Sequence, residues 1–335
     1  MSQVFDLYKT LAEAFGPSGR EEAVRETIAS LARPYVDEMQ TDTLGNLICR
    51  KKGTGAERRK LLLAAHMDSL GLVVTYIEEE GVLRFAPVGG VFRGDLINIQ
   101  VRFANGTRGV ISYEEKTDFK DLQMHNLFLD IGASSREQAE KMVQVGDFAV
   151  FDAPMFEQNG ILCGPYVDDR IGCATLLLTM AQLPEIVMDD MYFVFTVQEE
   201  VGLRGAGTAA FAIEPDLAVA VDVTDTGDLP ERKYPMDCAL GKGPAVKVMD
   251  HSALCTPKVR SALEEAGLLA AVPVQREILR FGGTDTAALQ RSRAGVPAGA
   301  ISIPTRYIHS PSEMCAVRDV EQAAVLLSKA LLHTL

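Results

Sequence analysis

Apolar runs that stop in an acid or an imidazole constrain this chain more than any other feature of its sequence. Residues 61–65 (LLLAA) are wholly apolar and lead into His66 and, two residues on, Asp68. MYFVFTVQ runs into Glu199 and Glu200, VAVDVT holds Asp222 inside an apolar stretch, and AISIPTRYI leads to His309. Short apolar runs of this kind suit strands buried on both faces, as in parallel sheets covered by helices. Strands are expected at 61–65, 191–197, 217–223 and 298–303, and a further one in TLGNLICRKKG. Helical spacing predicts helices at 3–15, 170–182, 257–267, 285–293 and 319–333. Ser18 opens S-x-x-E with Glu21, a capping-box pattern, ahead of Val24, Ile28 and Leu31 at helical spacing. Strands alternating with helices imply an α/β fold with a mostly parallel sheet flanked by helices.

Between about residues 74 and 152 the pattern changes. GVLRFAPV, DLINIQVRF, TRGVISY, NLFLDIG and DFAVFD are short β-like runs, and Asn105-Gly106 is a strong hairpin signal. This stretch reads as a small β-rich unit inserted into an α/β domain formed by residues 1–73 and 153–335. The polar strand ends lie outside the insert, so its two ends must converge near them. Short strands leave edges to cover, which pairing with another subunit would do.

With 335 residues, 47% of them hydrophobic, the chain can bury a sizeable core. Its net charge of -13 argues against nucleic acid or an anionic membrane as partner. The amphipathic N-terminus lacks an apolar signal core, and no apolar stretch approaches the ~20 residues of a membrane span. A cytoplasmic protein is expected. Six scattered cysteines without a C-x-x-C fit reduced thiols.

The polar strand ends point to metal chemistry. Imidazole and carboxylate without cysteine suit zinc, cobalt or manganese. His66 and Asp68, two apart on an extended segment, project to the same side, and Asp68 can hold the second ring nitrogen of His66. Asp168-Asp169-Arg170 opens a helix. One aspartate there can serve as its cap, while Asp168 can bridge two ions through its two oxygens, since two-metal hydrolases hold ions ~3.5–4 Å apart. Glu199 and Glu200 face opposite ways, so one can bind metal while the other acts as a general base. An acid such as Asp222 within an apolar strand is expensive unless paired or metal-bound.

These segments, with GPSGREEAVR, DTLGNL, AAHMDSLG, LDIGASS, VDDRIG, TVQEEVGLRGA, AVDVT, GKGPAV, GGTDTAA and IPTRYIHSPSE, make the chain similar nearly end to end to the glutamyl-aminopeptidase and tetrahedral (TET) aminopeptidase family. The resemblance implies two divalent ions, one held by His66 and Asp222 and the other by Glu200 and His309. It implies Asp168 as the bridge, Glu199 as the base and Asp68 orienting His66. It also implies a zinc-peptidase-like fold, an insert used for dimerisation, and assembly into a hollow shell. In such proteins the GGTD segment lies near the substrate, which makes Asp285 a candidate contact. The chain departs from the family at Ser69, where an acid often follows the H-x-D pair, and at Pro165-Tyr166-Val167, where many members have a lysine and a small residue. Both departures bear on substrate preference.

The leading expectation is a metal-dependent aminopeptidase acting on short peptides. A deacylase or other amidohydrolase could use the same centre, and a shell-forming scaffold would keep only structural metals. A glycosidase built on Glu199 and Glu200 is disfavoured, because neighbouring strand residues point apart.

Overall fold

The computed structural model describes residues 1–231 and 233–335. At its centre four strands run parallel in the order Asp190–Thr196, Lys60–His66, Leu217–Thr224 and Ala298–Arg306. Their side chains alternate between two buried faces. Leu61, Leu63 and Ala65 join one core with Val219, Val221 and Val223, while Leu62 and Ala64 join another with Ala218 and Ala220. This is why the run at 61–65 has no polar member. Fully burying one such leucine contributes ~1.5–3 kcal/mol.

Antiparallel strands extend the parallel centre on both sides. Leu47–Lys51 and Glu38–Thr41 add to one edge, and Glu313–Ala316, Ile161–Gly164 and Phe156–Gln158 to the other. Ala245–Met249 pairs antiparallel with Ala298–Arg306 and carries Gln275–Ile278. The sheet of eleven strands is therefore mixed around a parallel core.

Helices Gln3–Glu13, Glu22–Ala32, Val167–Gln182, Pro257–Leu269 and Val317–Lys329 bury their apolar faces in the larger core. Arg204–Ile213 covers the other face through Ala206, Ala209 and Ala210, and Leu289 of the short helix Thr286–Gln290 joins it there. The S-x-x-E expectation is corrected: Glu21, not Ser18, occupies the cap position, and no side-chain cap bond forms. Glu21 instead accepts the Gly19 N–H, and the Ser18 hydroxyl goes to Asp68.

Six strands between Gly71 and Phe151 close into a separate small barrel. It has its own core, including Leu72, Leu83, Val101, Ile111 and Leu129. The Asn105-Gly106 hairpin joins Gln100–Phe103 to Arg108–Tyr113, with Gly106 at φ +88°. All six cysteines are free and buried. Among the described residues no helix is long and apolar enough to cross a membrane.

Candidate metal centre

The carboxyl ends of the parallel strands converge, as open α/β sheets require of their sites. Thr196 lies opposite His66 in the sheet register, so Glu199 and Glu200, just beyond Thr196, come over His66. Asp222 approaches from the next strand and His309 from the loop after Ala298–Arg306.

Two groups of donors form there. His66, Asp168 and Asp222 each offer a ligand atom within 4.8 Å of the others, and so do Asp168, Glu200 and His309. Asp168 is common to both. Its Oδ1 lies 2.9 Å from His66 Nε2 and its Oδ2 lies 3.4 Å from His309 Nε2. Glu200 Oε2 is 3.3 Å from His309 Nε2, and Asp222 Oδ1 is 4.0 Å from His66 Nε2. Glu199 Oε2 stands 4.0 Å from His66 Nε2, at the same cavity.

Neighbouring groups fix these side chains. His66 Nδ1 faces the Asp68 carbonyl at 3.2 Å and the Asp68 carboxylate at 3.6 Å, which leaves Nε2 toward the site. The shorter contacts of that carboxylate are with the Ser18 hydroxyl (2.6 Å) and the backbone N–H groups of Glu199 (3.0 Å) and Glu200 (3.2 Å). His309 Nδ1 meets the carbonyl of Gly90, from the barrel, at 3.0 Å, and a Cβ at Gly90 would lie 2.9 Å from that nitrogen. The backbone is non-helical at Asp168 and Asp169, within Val167–Gln182, and Asp169 caps the regular helix that follows: its Oδ1 accepts the Gly172 N–H, while its Oδ2 accepts the His66 N–H. Asp168, its neighbour, is thereby left for the site.

The electrostatics are those of a buried excess of carboxylate. Burial, reinforced by Asp168, pushes Glu200 up to about 8. Burial likewise raises Asp222 to about 8 against the pull of His66, and lifts Glu199 well above the ordinary range. Burial opposes charge on His309, but Asp168 and Glu200 prevail and raise it to about 10. Asp168 resists burial too, because the two histidines hold its carboxyl well below the usual value. Among the described residues the buried Glu200 Oε1 has no hydrogen-bond partner. Imidazole and carboxylate donors, surplus negative charge and an unpartnered oxygen together fit divalent cations.

The donors open onto a cavity of about 790 Å³, within the range of small-ligand sites. Its lining also includes the apolar side chains of Leu203, Leu229, Leu279, Phe281 and Ile308. Asp285 does not line this cavity. It is buried, with Oδ2 accepting the Thr196 hydroxyl at 2.5 Å, while its neighbour Thr284 reaches the wall. Sequence reasoning does not find Ser18, Gly90 or Glu313, whose parts in the site depend on contacts distant in the chain.

A family model, M42 glutamyl aminopeptidase, matches residues 45–326. The chain belongs to the M42 glutamyl aminopeptidase family. It is 49% identical over 329 residues to a putative aminopeptidase of Acetivibrio thermocellus, covering 98% of each chain. Aminopeptidase APDkam598 from the archaeon Desulfurococcus kamchatkensis superposes with a TM-score of 0.95 at 38% identity, over 99% of this chain and 95% of the other. The Pyrococcus horikoshii TET1 peptidase, which can assemble into a tetrahedron or a large octahedral shell, superposes with a TM-score of 0.88 at 31% identity, over 99% and 100% of the two chains. This M42 protein is thus a hydrolase of the aminopeptidase class, in a family that depends on metal.

Proposed function

We propose that the chain removes N-terminal residues from short peptides with two divalent ions, zinc or cobalt by preference and manganese as a further possibility. One ion is held by His66, Asp168 and Asp222, the other by Asp168, Glu200 and His309. The observation that carries this reading is that the two oxygens of Asp168 face different imidazoles, at 2.9 and 3.4 Å. A carboxylate so placed can serve two sites at once.

Two ions bound there would polarise a peptide carbonyl and make water more acidic. Glu199 is the base: it takes the proton of the attacking water and passes it to the departing amine. Burial raises the affinity of Glu199 for that proton, which suits both halves of the task. Asp68 keeps His66 turned so that Nε2 faces the site, and Gly90 does the same for His309.

Residues 1–73 with 153–335 form the catalytic unit in this reading, and 74–152 form the assembly element. The barrel's separate core supports this division, as do the exposed Phe92 and Phe119 on the barrel and the likeness to a shell-forming peptidase. Light scattering should find at least a dimer; a monomer would remove the assembly role.

A panel of aminoacyl-nitroanilides, assayed on metal-stripped protein with and without cobalt or zinc, tests the activity. Cleavage that needs both a free α-amine and added metal is expected. Equal cleavage of N-acetylated peptides would replace this reading with a deacylase or endopeptidase.

A further inference from the structure

We propose that Glu313 is a positioning residue that locks the shared ligand Asp168 and the ligand His309 into one geometry; this rests on the two-ion reading above. Glu313 begins the strand Glu313–Ala316 and lies opposite Gly164, four residues before Asp168. That pairing brings the approach to Asp168 beside the loop that carries His309. The Glu313 side chain joins the two. Its Oε2 accepts the Asp168 N–H at 2.8 Å and its Oε1 accepts the His309 N–H at 2.7 Å.

Several features make this more than ordinary packing. Glu313 is 2% exposed, and a carboxylate so buried is unfavourable unless its oxygens are satisfied. Both oxygens are satisfied by residues of the candidate centre. The two ligands come from segments about 140 residues apart in sequence, at the start of a helix and in a surface loop. The loop also needs an anchor, because Tyr307 and His309 have φ of +60° and +67°, a region that non-glycine residues seldom adopt. The Glu313 carboxylate, accepting the His309 backbone N–H, holds that conformation in place. Since Asp168 belongs to both donor groups, displacing it disturbs both ions, whereas displacing His309 disturbs one.

The test is calorimetric titration of Co²⁺ or Zn²⁺ into metal-stripped wild type, Glu313→Gln and Glu313→Ala, with a thermal melt of each metal-free protein. Glutamine keeps the volume but has one acceptor oxygen, so its amide NH2 must face one of the two N–H groups. Partners that orient metal ligands typically change affinity about 10- to 100-fold. Glu313→Gln should therefore weaken the ion of the Asp168/Glu200/His309 group by about that factor, and the other ion as well where the lost acceptor is that of Asp168, while Glu313→Ala should weaken both by more. If the alanine variant does not fold, the glutamine variant carries the result. Wild-type affinity for both ions in folded Glu313→Gln overturns the proposal, even where its melting temperature falls. Wild-type protein that binds no divalent ion overturns this proposal and the two-ion function together.

Discussion

Glu199 and Glu200 are adjacent, both are held through their backbone N–H groups by Asp68, and yet they should fail in different ways. Glutamine at either position keeps the volume and the backbone bond, so the fold should survive both changes. Glu199→Gln removes the proton acceptor while leaving both donor groups, His66/Asp168/Asp222 and Asp168/Glu200/His309, complete. Loss of a general base lowers turnover by roughly 100- to 10,000-fold, or about 2.7–5.4 kcal/mol of barrier. Glu200→Gln instead removes a charge 3.3 Å from His309 Nε2 and takes a member out of the second group. Loss of a ligand should exceed the roughly 10- to 100-fold effect of removing an outer partner. The assay pairs metal content after desalting with kcat at saturating cobalt. Glu199→Gln should retain two ions and lose kcat. Glu200→Gln should lose one ion and recover part of its rate at high metal. If Glu199→Gln loses metal and Glu200→Gln does not, the roles are exchanged and the argument is refuted.

Asp168→Asn should weaken both ions in a metal titration, since each of its oxygens faces a different group; loss of one ion alone would reject the bridge. Metal binding should be pH-linked. Ligands bind deprotonated, and Glu200 and Asp222, raised to about 8, and His309, raised to about 10, hold protons at pH 7, so affinity should fall as pH drops from about 10 through 8. Calorimetry at pH 7 in buffers of different ionisation enthalpy should report proton release, and identical heats would contradict this. Gly205→Ala should destabilise the fold by about 1–3 kcal/mol in guanidinium unfolding. Its Cβ would meet Asn46 Oδ1 at 2.2 Å and the Val197 backbone at 2.6 Å, just before Glu199 and Glu200.

What the sequence made legible was whatever a single strand could show. The run at 61–65 could be read as doubly buried because both faces of that strand pack, and its end at His66 followed from the apolar pattern stopping. The helix Arg204–Ile213 was not legible, because Gly205 and Gly207 dilute its helical signal. Gly205 is there because tertiary contact with Asn46 and Val197 leaves no room for a side chain. Ser18 misled for a related reason. Its spacing to Glu21 fits a capping box, but a buried carboxylate 50 residues away is the partner its hydroxyl meets. The antiparallel strand Ile161–Gly164 is short, and its pairing with Glu313–Ala316 spans about 150 residues, beyond any local pattern.

The backbone around the site shows why the charge excess is built in. Three buried carboxylates accept the N–H groups of five site residues: Asp169 holds His66, Asp68 holds Glu199 and Glu200, and Glu313 holds Asp168 and His309. Neutral acceptors could supply the same bonds, but carboxylates make them stronger and draw two segments together through two oxygens. The same choice adds negative charge to a pocket that already contains Asp168, Glu199, Glu200 and Asp222. Without divalent cations much of that charge is relieved by protons, which is the direction in which Glu199, Glu200 and Asp222, and the framework groups Asp169 and Glu313, are pushed. Rigid placement of the donors and demand for divalent cations therefore have one physical origin. A change that neutralises one of the three framework carboxylates should loosen the geometry and lower the attraction for cations together.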